Sequence, residues 1–220
     1  MTVFEKELKK LVLKNGGYVN YHSHLDRSYT INIKDCYSYK MSLKEKQNFV
    51  SNIHKSNFYT ENSLTERLSK ALKNAVNSNT KRIYTFIDTT NDIGIKAIDV
   101  ALRVKDDFRD KIELKIGSYP VFGISEDKEF NTLKVASKLA DFIGDLPEKD
   151  EKTIGIEKHF EKILELSFSL KKDLHIHIDQ TRDPNERNIF KLIKVLKNFG
   201  YTPNNEFPRI FVVHELASSS

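Results

Sequence analysis

The chain has little of what specialised protein classes depend on. Its 220 residues hold one cysteine, five prolines, eight glycines and no tryptophan. A single cysteine, Cys36, excludes a disulfide framework and a cysteine-based zinc cluster. So few glycines and prolines, beside a 39% hydrophobic fraction, exclude collagen-like, low-complexity and disordered chains. Long apolar runs are missing as well: Ile83 to Ile87 is broken by Tyr84 and Thr85, and the run from Ile210 to Val213 is short. A membrane-spanning helix needs about 20 apolar residues. Met1 to Lys14 is amphipathic and rich in Lys and Glu, so it lacks the apolar centre of a secretory signal. The chain therefore reads as soluble and cytoplasmic, with no membrane partner. Excess charge is modest, 36 Lys and Arg against 31 Asp and Glu, giving +5. Both signs are mixed along the helices, as in Glu5-Lys6-Glu7 and Lys44-Glu45-Lys46, which speaks against nucleic acid as a partner.

What is present is a rhythm. Apolar, β-branched runs at Tyr18 to His22, Arg82 to Asp88, Ile112 to Ser118, Asp141 to Asp145, Asp173 to Asp179 and Arg209 to His214 predict six strands. Helical patterns lie between them. Ile189, Leu192, Ile193 and Leu196 share one helix face, and Phe160, Ile163 and Leu164 mark another. Asp183-Pro184-Asn185-Glu186 and Ser63-Leu64-Thr65-Glu66 have the order of capping boxes, the second opening a helix towards Asn77. Strand and helix in alternation predict a parallel α/β sheet, because parallel neighbours need a crossover. No Gly-rich phosphate turn follows the first strand. The chemistry-bearing residues fall instead at the C-terminal ends of different strands: His22, His24, Asp88, His177, Asp179 and His214. That distribution predicts a (β/α)8 barrel of TIM type, truncated after the sixth strand, with residues 1–220 forming one domain of about six β/α units.

Four of the seven histidines fall in two His-x-His pairs, where composition alone gives roughly 0.2 such pairs. Strand alternation puts His22 with His24, and His175 with His177, on a common face. Imidazole is the commonest metal ligand, and two from one strand end suit one divalent ion. His54, His159 and His175 are expected to be hydrogen-bonded core instead.

These residues carry a family likeness. Tyr21-His22-Ser23-His24-Leu25-Asp26-Arg27 resembles the first-strand motif of the amidohydrolase superfamily, in the form of the cytosine deaminases. Phe86-Ile87-Asp88, Leu114 to Pro120, Ala140 to Pro147, Ile176 to Gln180 and Val212-Val213-His214 resemble its next five strand ends in order. The resemblance implies a metal-dependent hydrolase of C–N bonds, by deamination or amide or amidine hydrolysis. Its substrate would be a small polar compound, a cyclic one among the candidates. One Zn or Fe ion would be held by His22, His24 and His177, with His214 and Gln180 as catalytic groups. Asp26, Asp88, Lys115 and Asp179 would contact substrate.

Three departures limit the likeness. The family's base, an Asp on the eighth strand, lies beyond this chain. Gln180 stands where cytosine deaminases have a proton-shuttling Glu, and an amide cannot exchange a proton near neutrality. Lys115 stands where those enzymes read cytosine with a Gln, so cytosine itself is not the expected substrate. The alternative is a non-catalytic barrel fragment that binds metal or a partner chain. Open strand edges would favour a homo-oligomer, or pairing with a missing C-terminal part.

Overall fold

Each β-branched run forms a strand. In the computed structural model, which describes residues 2–31, 43–180, 183, 185–202 and 208–214, these are β1 (Tyr18–Ser23), β2 (Thr80–Asp88), β3 (Glu113–Tyr119), β4 (Phe142–Asp145), β5 (Leu174–Ile178) and β6 (Ile210–His214). Helices α1 (Val3–Lys14), α2 (Leu43–His54), α3 (Glu61–Asn77), α4 (Lys96–Asp107), α5 (Asp127–Leu139), α6 (Ile156–Leu170) and α7 (Asn188–Asn198) alternate with them. The sheet order is β1-β2-β3-β4-β5-β6. The β1–β2, β3–β4, β4–β5 and β5–β6 ladders are all parallel. Sequential parallel order is what repeated strand–helix crossovers produce. Cys36 and Pro184 lie outside the described residues. No helix among the described residues is long and apolar enough to cross a membrane.

Two helix starts differ from the sequence expectation. Helix α3 opens at Glu61, with the Thr60 hydroxyl accepting from the Ser63 amide, one turn before the Ser63 box. Helix α7 opens at Asn188 after an N-cap, Arg187, that makes no side-chain cap bond. Asp183 instead accepts from the Asn185 amide in a local turn. Three of the four residues expected on the packed face of α7 lie there: Leu192 is buried and Ile189 and Leu196 pack against the same core, joined by Val195, while Ile193 is exposed.

The chain divides into two compact units, Met1–Ile87 with Asp99–Ile116, and Asp88–Ile98 with Gly117–Ser220. In the first, β1 and β2 pair from Tyr18↔Thr80 to Ser23↔Thr85. Leu64, Leu68 and Leu72 give α3 a buried stripe at four-residue spacing. Helix α1 is different, for it buries no residue at all. In the second unit, Leu174, Ile176 and Ile178 of β5 pack with Phe160, Ile163 and Leu164 of α6 and Leu192 of α7. Each such buried side chain contributes about 1.5–3 kcal/mol.

Alternation along β5 puts His175 and His177 on its other face. There the His175 ring lies between Phe142, at 4.3 Å, and Phe211, at 4.5 Å. Gly117 on β3 makes room for that layer, since a Cβ at this position would overlap the Phe142 ring.

Candidate metal and substrate site

In the first unit, β1 delivers His22 and His24 side by side, with ring centroids 5.1 Å apart and edge to face. Both rings rest on Phe86 of β2, at 5.0 and 5.4 Å. The His22 amide donates to Asn20 Oδ1. The chain then enters a 3-10 turn, Leu25–Arg27, that is tightly held. The Leu25 amide donates to the Thr85 hydroxyl, and the Tyr59 hydroxyl donates to Asp26 Oδ2 at 2.7 Å. Arg67 of α3 donates to the carbonyls of Asp26, Ser28 and Phe58 at 2.5, 2.8 and 2.6 Å. Burial lowers the Arg67 pKa, and Asp26 and Tyr59 oppose that. Asp26 is thus a fully buried anchor of the segment after His24. Lys115 lies in the first half of β3, bound to Glu113, which also holds Arg82. His54 is buried with its ring against Tyr59.

In the second unit, His177 is buried at the end of β5, and its Nδ1 lies 3.1 Å from the Asp145 carbonyl. A carbonyl only accepts, so Nδ1 carries the hydrogen. The neutral ring then keeps its lone pair on Nε2, the tautomer that a metal ligand requires. Tyr119 and His214 flank this ring at 4.7 and 5.2 Å. His214 ends β6 with φ +80°, a left-handed turn that swings its ring out of strand alternation. Partial desolvation lowers the His214 pKa, which favours the neutral imidazole. Asp88 is fully buried at the end of β2.

Asp179, also left-handed at φ +49°, is buried just after β5. Its two carboxylate oxygens accept from the Asn188 and Ile189 amides at 2.8 and 3.0 Å, so it supplies the cap that Arg187 does not. Its own amide donates to Glu148 Oε1 at 2.9 Å, and Gln180 Nε2 lies 3.5 Å from Glu148 Oε2. Burial pushes the Glu148 carboxyl up to about 7, with Glu186 and Asp145 adding to the rise.

Glu148 did not stand out in the sequence, and neither did the pair Asp145 and Asp150. The 3-10 turn Pro147–Asp150 carries the first and last of these beyond the fourth-strand motif. The only local signal there is Pro147 opening a turn of acidic residues. His159 of α6 sits between the pair, with Nε2 2.7 Å from Asp145 and Nδ1 2.7 Å from Asp150, all three fully buried. Two carboxylates accept, so both ring nitrogens donate and the ring is an imidazolium. Burial pulls its pKa down, but the two carboxylates outweigh this and raise it to about 9. Asp150 also accepts from the amides of Ile124 and Ser125. The expectation that His159 and His175 are core residues holds in the structure.

No family model matches the chain. It is 24% identical over 191 residues to an uncharacterized protein of Haemophilus influenzae, covering 86% of this chain and 68% of that protein. The 5-methylcytosine deaminase of Klebsiella pneumoniae, solved with 5-fluorocytosine, superposes with a TM-score of 0.79 at 21% identity over 91% of this chain. The fold of the shared span is that of the deaminase's barrel. The N-isopropylammelide isopropylaminohydrolase of Burkholderia multivorans superposes with a TM-score of 0.63 at 16% identity over 84% of this chain. The chain spans about half the length of these two proteins, 47% and 46%. Within that span the described residues supply six strands of a TIM-type barrel sheet, in sequential order.

Proposed function

We propose that the protein is a metal-dependent hydrolase of C–N bonds in small polar compounds, working with one Zn or Fe ion held by His22, His24 and His177. The observation that carries this reading is the Asp145 carbonyl 3.1 Å from His177 Nδ1, a partner that in the neutral ring leaves the lone pair on Nε2 for a metal. The imidazoles of His22 and His24, whose ring centroids lie 5.1 Å apart, are a donor set of the same chemistry. A bound divalent ion supplies Lewis acidity that makes water nucleophilic near neutral pH. His214, neutral by desolvation, can donate or accept a hydrogen bond at a polar substrate atom. Gln180 can orient a ring amide or carbonyl but holds no exchangeable proton. Before His177 on the same face of β5, His175 is buried between the rings of Phe142 and Phe211.

Purified chain should carry about one Zn or Fe per molecule by elemental analysis. The His22→Ala, His24→Ala double variant should lose it while keeping a native circular dichroism spectrum. Zinc- or iron-loaded protein would then be assayed for ammonia or amine release from 5-fluorocytosine and N-isopropylammelide. A folded wild-type chain that takes up neither metal sinks the proposal, and the non-catalytic reading takes its place.

A further inference from the structure

The hydrolase reading leaves one chemical need unmet. A leaving nitrogen must receive a proton as its C–N bond breaks, and the metal ligands cannot provide one. His159 cannot provide it either, since both its ring protons are committed to Asp145 and Asp150. Asp179 is committed to the α7 amides. Glu148 differs from both. It stands directly after β4, in the 3-10 turn Pro147–Asp150, and is tied to the end of β5. One oxygen accepts the Asp179 amide and the other faces the Gln180 side chain.

Resting on that reading, we infer that Glu148 is the carboxyl group that passes a proton to the leaving nitrogen of a compound bound at the C-terminal ends of β4 and β5. The step balances without any oxidant or reductant. The Glu148 O–H bond breaks and its proton forms an N–H bond, while the C–N bond pair stays with nitrogen. The attacking water gives its oxygen to carbon, and its displaced proton restores the carboxyl group. Substrate and water become a carbonyl compound and ammonia or an amine.

The surroundings suit the task. A group that both gives and takes a proton works best with a pKa near the working pH. The groups that face Glu148 are Glu186 from the entry to α7, Asp145 at the end of β4, and the Asp179 amide and Gln180 side chain after β5. Glu148, Asp179 and Glu186 bring carboxylate oxygens within 4.8 Å of one another. Two anions and burial favour the protonated form, while the amide keeps the carboxylate accessible.

The test uses the full chain, loaded with zinc, in three forms: wild type, Glu148→Gln and Glu148→Asp. Carboxyl NMR on protein carrying 13C-labelled glutamate should show one resonance titrating near pH 7 that is absent from Glu148→Gln. Glu148→Gln should keep the metal, yet release ammonia from 5-fluorocytosine, or amine from N-isopropylammelide, about 100-fold or more slowly. Glu148→Asp should recover part of the rate with a shifted pH profile. A Glu148 resonance titrating in the ordinary range near 4.3 overturns the inference whatever the activity. So does a Glu148→Gln variant with the wild-type rate and pH profile. Zinc-loaded wild type that releases no ammonia or amine from these two probes or from a panel of small cyclic amides and amidines, with the titration near 7 intact, overturns the hydrolase reading itself and the transfer role with it.

Discussion

His159→Leu is expected to destabilise the protein by about 3–5 kcal/mol at pH 7, because removing one member of a buried ionic cluster strands its partners. Asp145 and Asp150 would each lose a 2.7 Å charge-assisted hydrogen bond in a site with no exposure to water. Urea unfolding of the two proteins measures the difference. The pH dependence separates this from a simple loss of packing. The folded His159 pKa of about 9 lies above its ordinary 6.5. Its contribution is therefore complete below about 6.5 and is lost as pH rises through 9. A shift of that size corresponds to about 3 kcal/mol. Glu148, raised from 4.5 to about 7, has the same sign, and its contribution is lost as pH rises through 7. Asp150 runs the other way: its lowered pKa gives stability present above 3.8 and lost in acid. Wild type should thus lose stability between pH 6.5 and 9, and His159→Leu should lose much less over that window. Equal slopes for the two proteins would refute the imidazolium assignment.

Arg67→Met should have a comparable effect in the first unit, about 3 kcal/mol or more. The substitution keeps the length of the stem but removes the donors from three backbone carbonyls, those of Asp26, Ser28 and Phe58. Stranding a buried acceptor costs about 1–3 kcal/mol, and bonds from a charged donor lie at the stronger end. The loss should also be felt beyond global stability. The turn that Arg67 clamps follows directly on His24, so metal should bind more weakly in the variant even when it is fully folded. Thermal unfolding and zinc titration measure the two effects. Arg67→Lys should rescue little, since one ammonium cannot reproduce the planar fork that reaches three carbonyls. Unchanged zinc affinity in folded Arg67→Met would show that the clamp serves the fold alone.

The strands were legible because their signal is local. Runs such as Arg82 to Asp88 and Asp173 to Asp179 carry both β-branched residues and the polar residue that ends the strand. All six strands lie within two residues of the sequence expectation. The helix starts were less legible, and α7 shows why. Its cap comes from Asp179, nine residues before Asn188, which the chain brings back through a left-handed turn. A capping motif read over four residues cannot contain a tertiary cap of that kind. The candidate site divides the same way. The His-x-His pairs announce themselves by spacing and alternation. Glu148 and Asp145 do not, because their chemistry arises from burial and from neighbours distant in sequence. Asp26 is the converse case: its place in a motif is visible, but its bonds to Tyr59 and its carbonyl's bond to Arg67 belong to the folded state.

Helix α1, which buries none of its residues, stands apart energetically from the rest of the chain. Its start is closed by a reciprocal capping box between Thr2 and Glu5, yet twelve residues are marginal for a helix without tertiary support. Its amide hydrogens should therefore exchange with solvent through local fraying, orders of magnitude faster than those of α6, whose exchange must await opening of the core. Among the described helices, α1 should thus be the one that opens and closes without disturbing the packed interior.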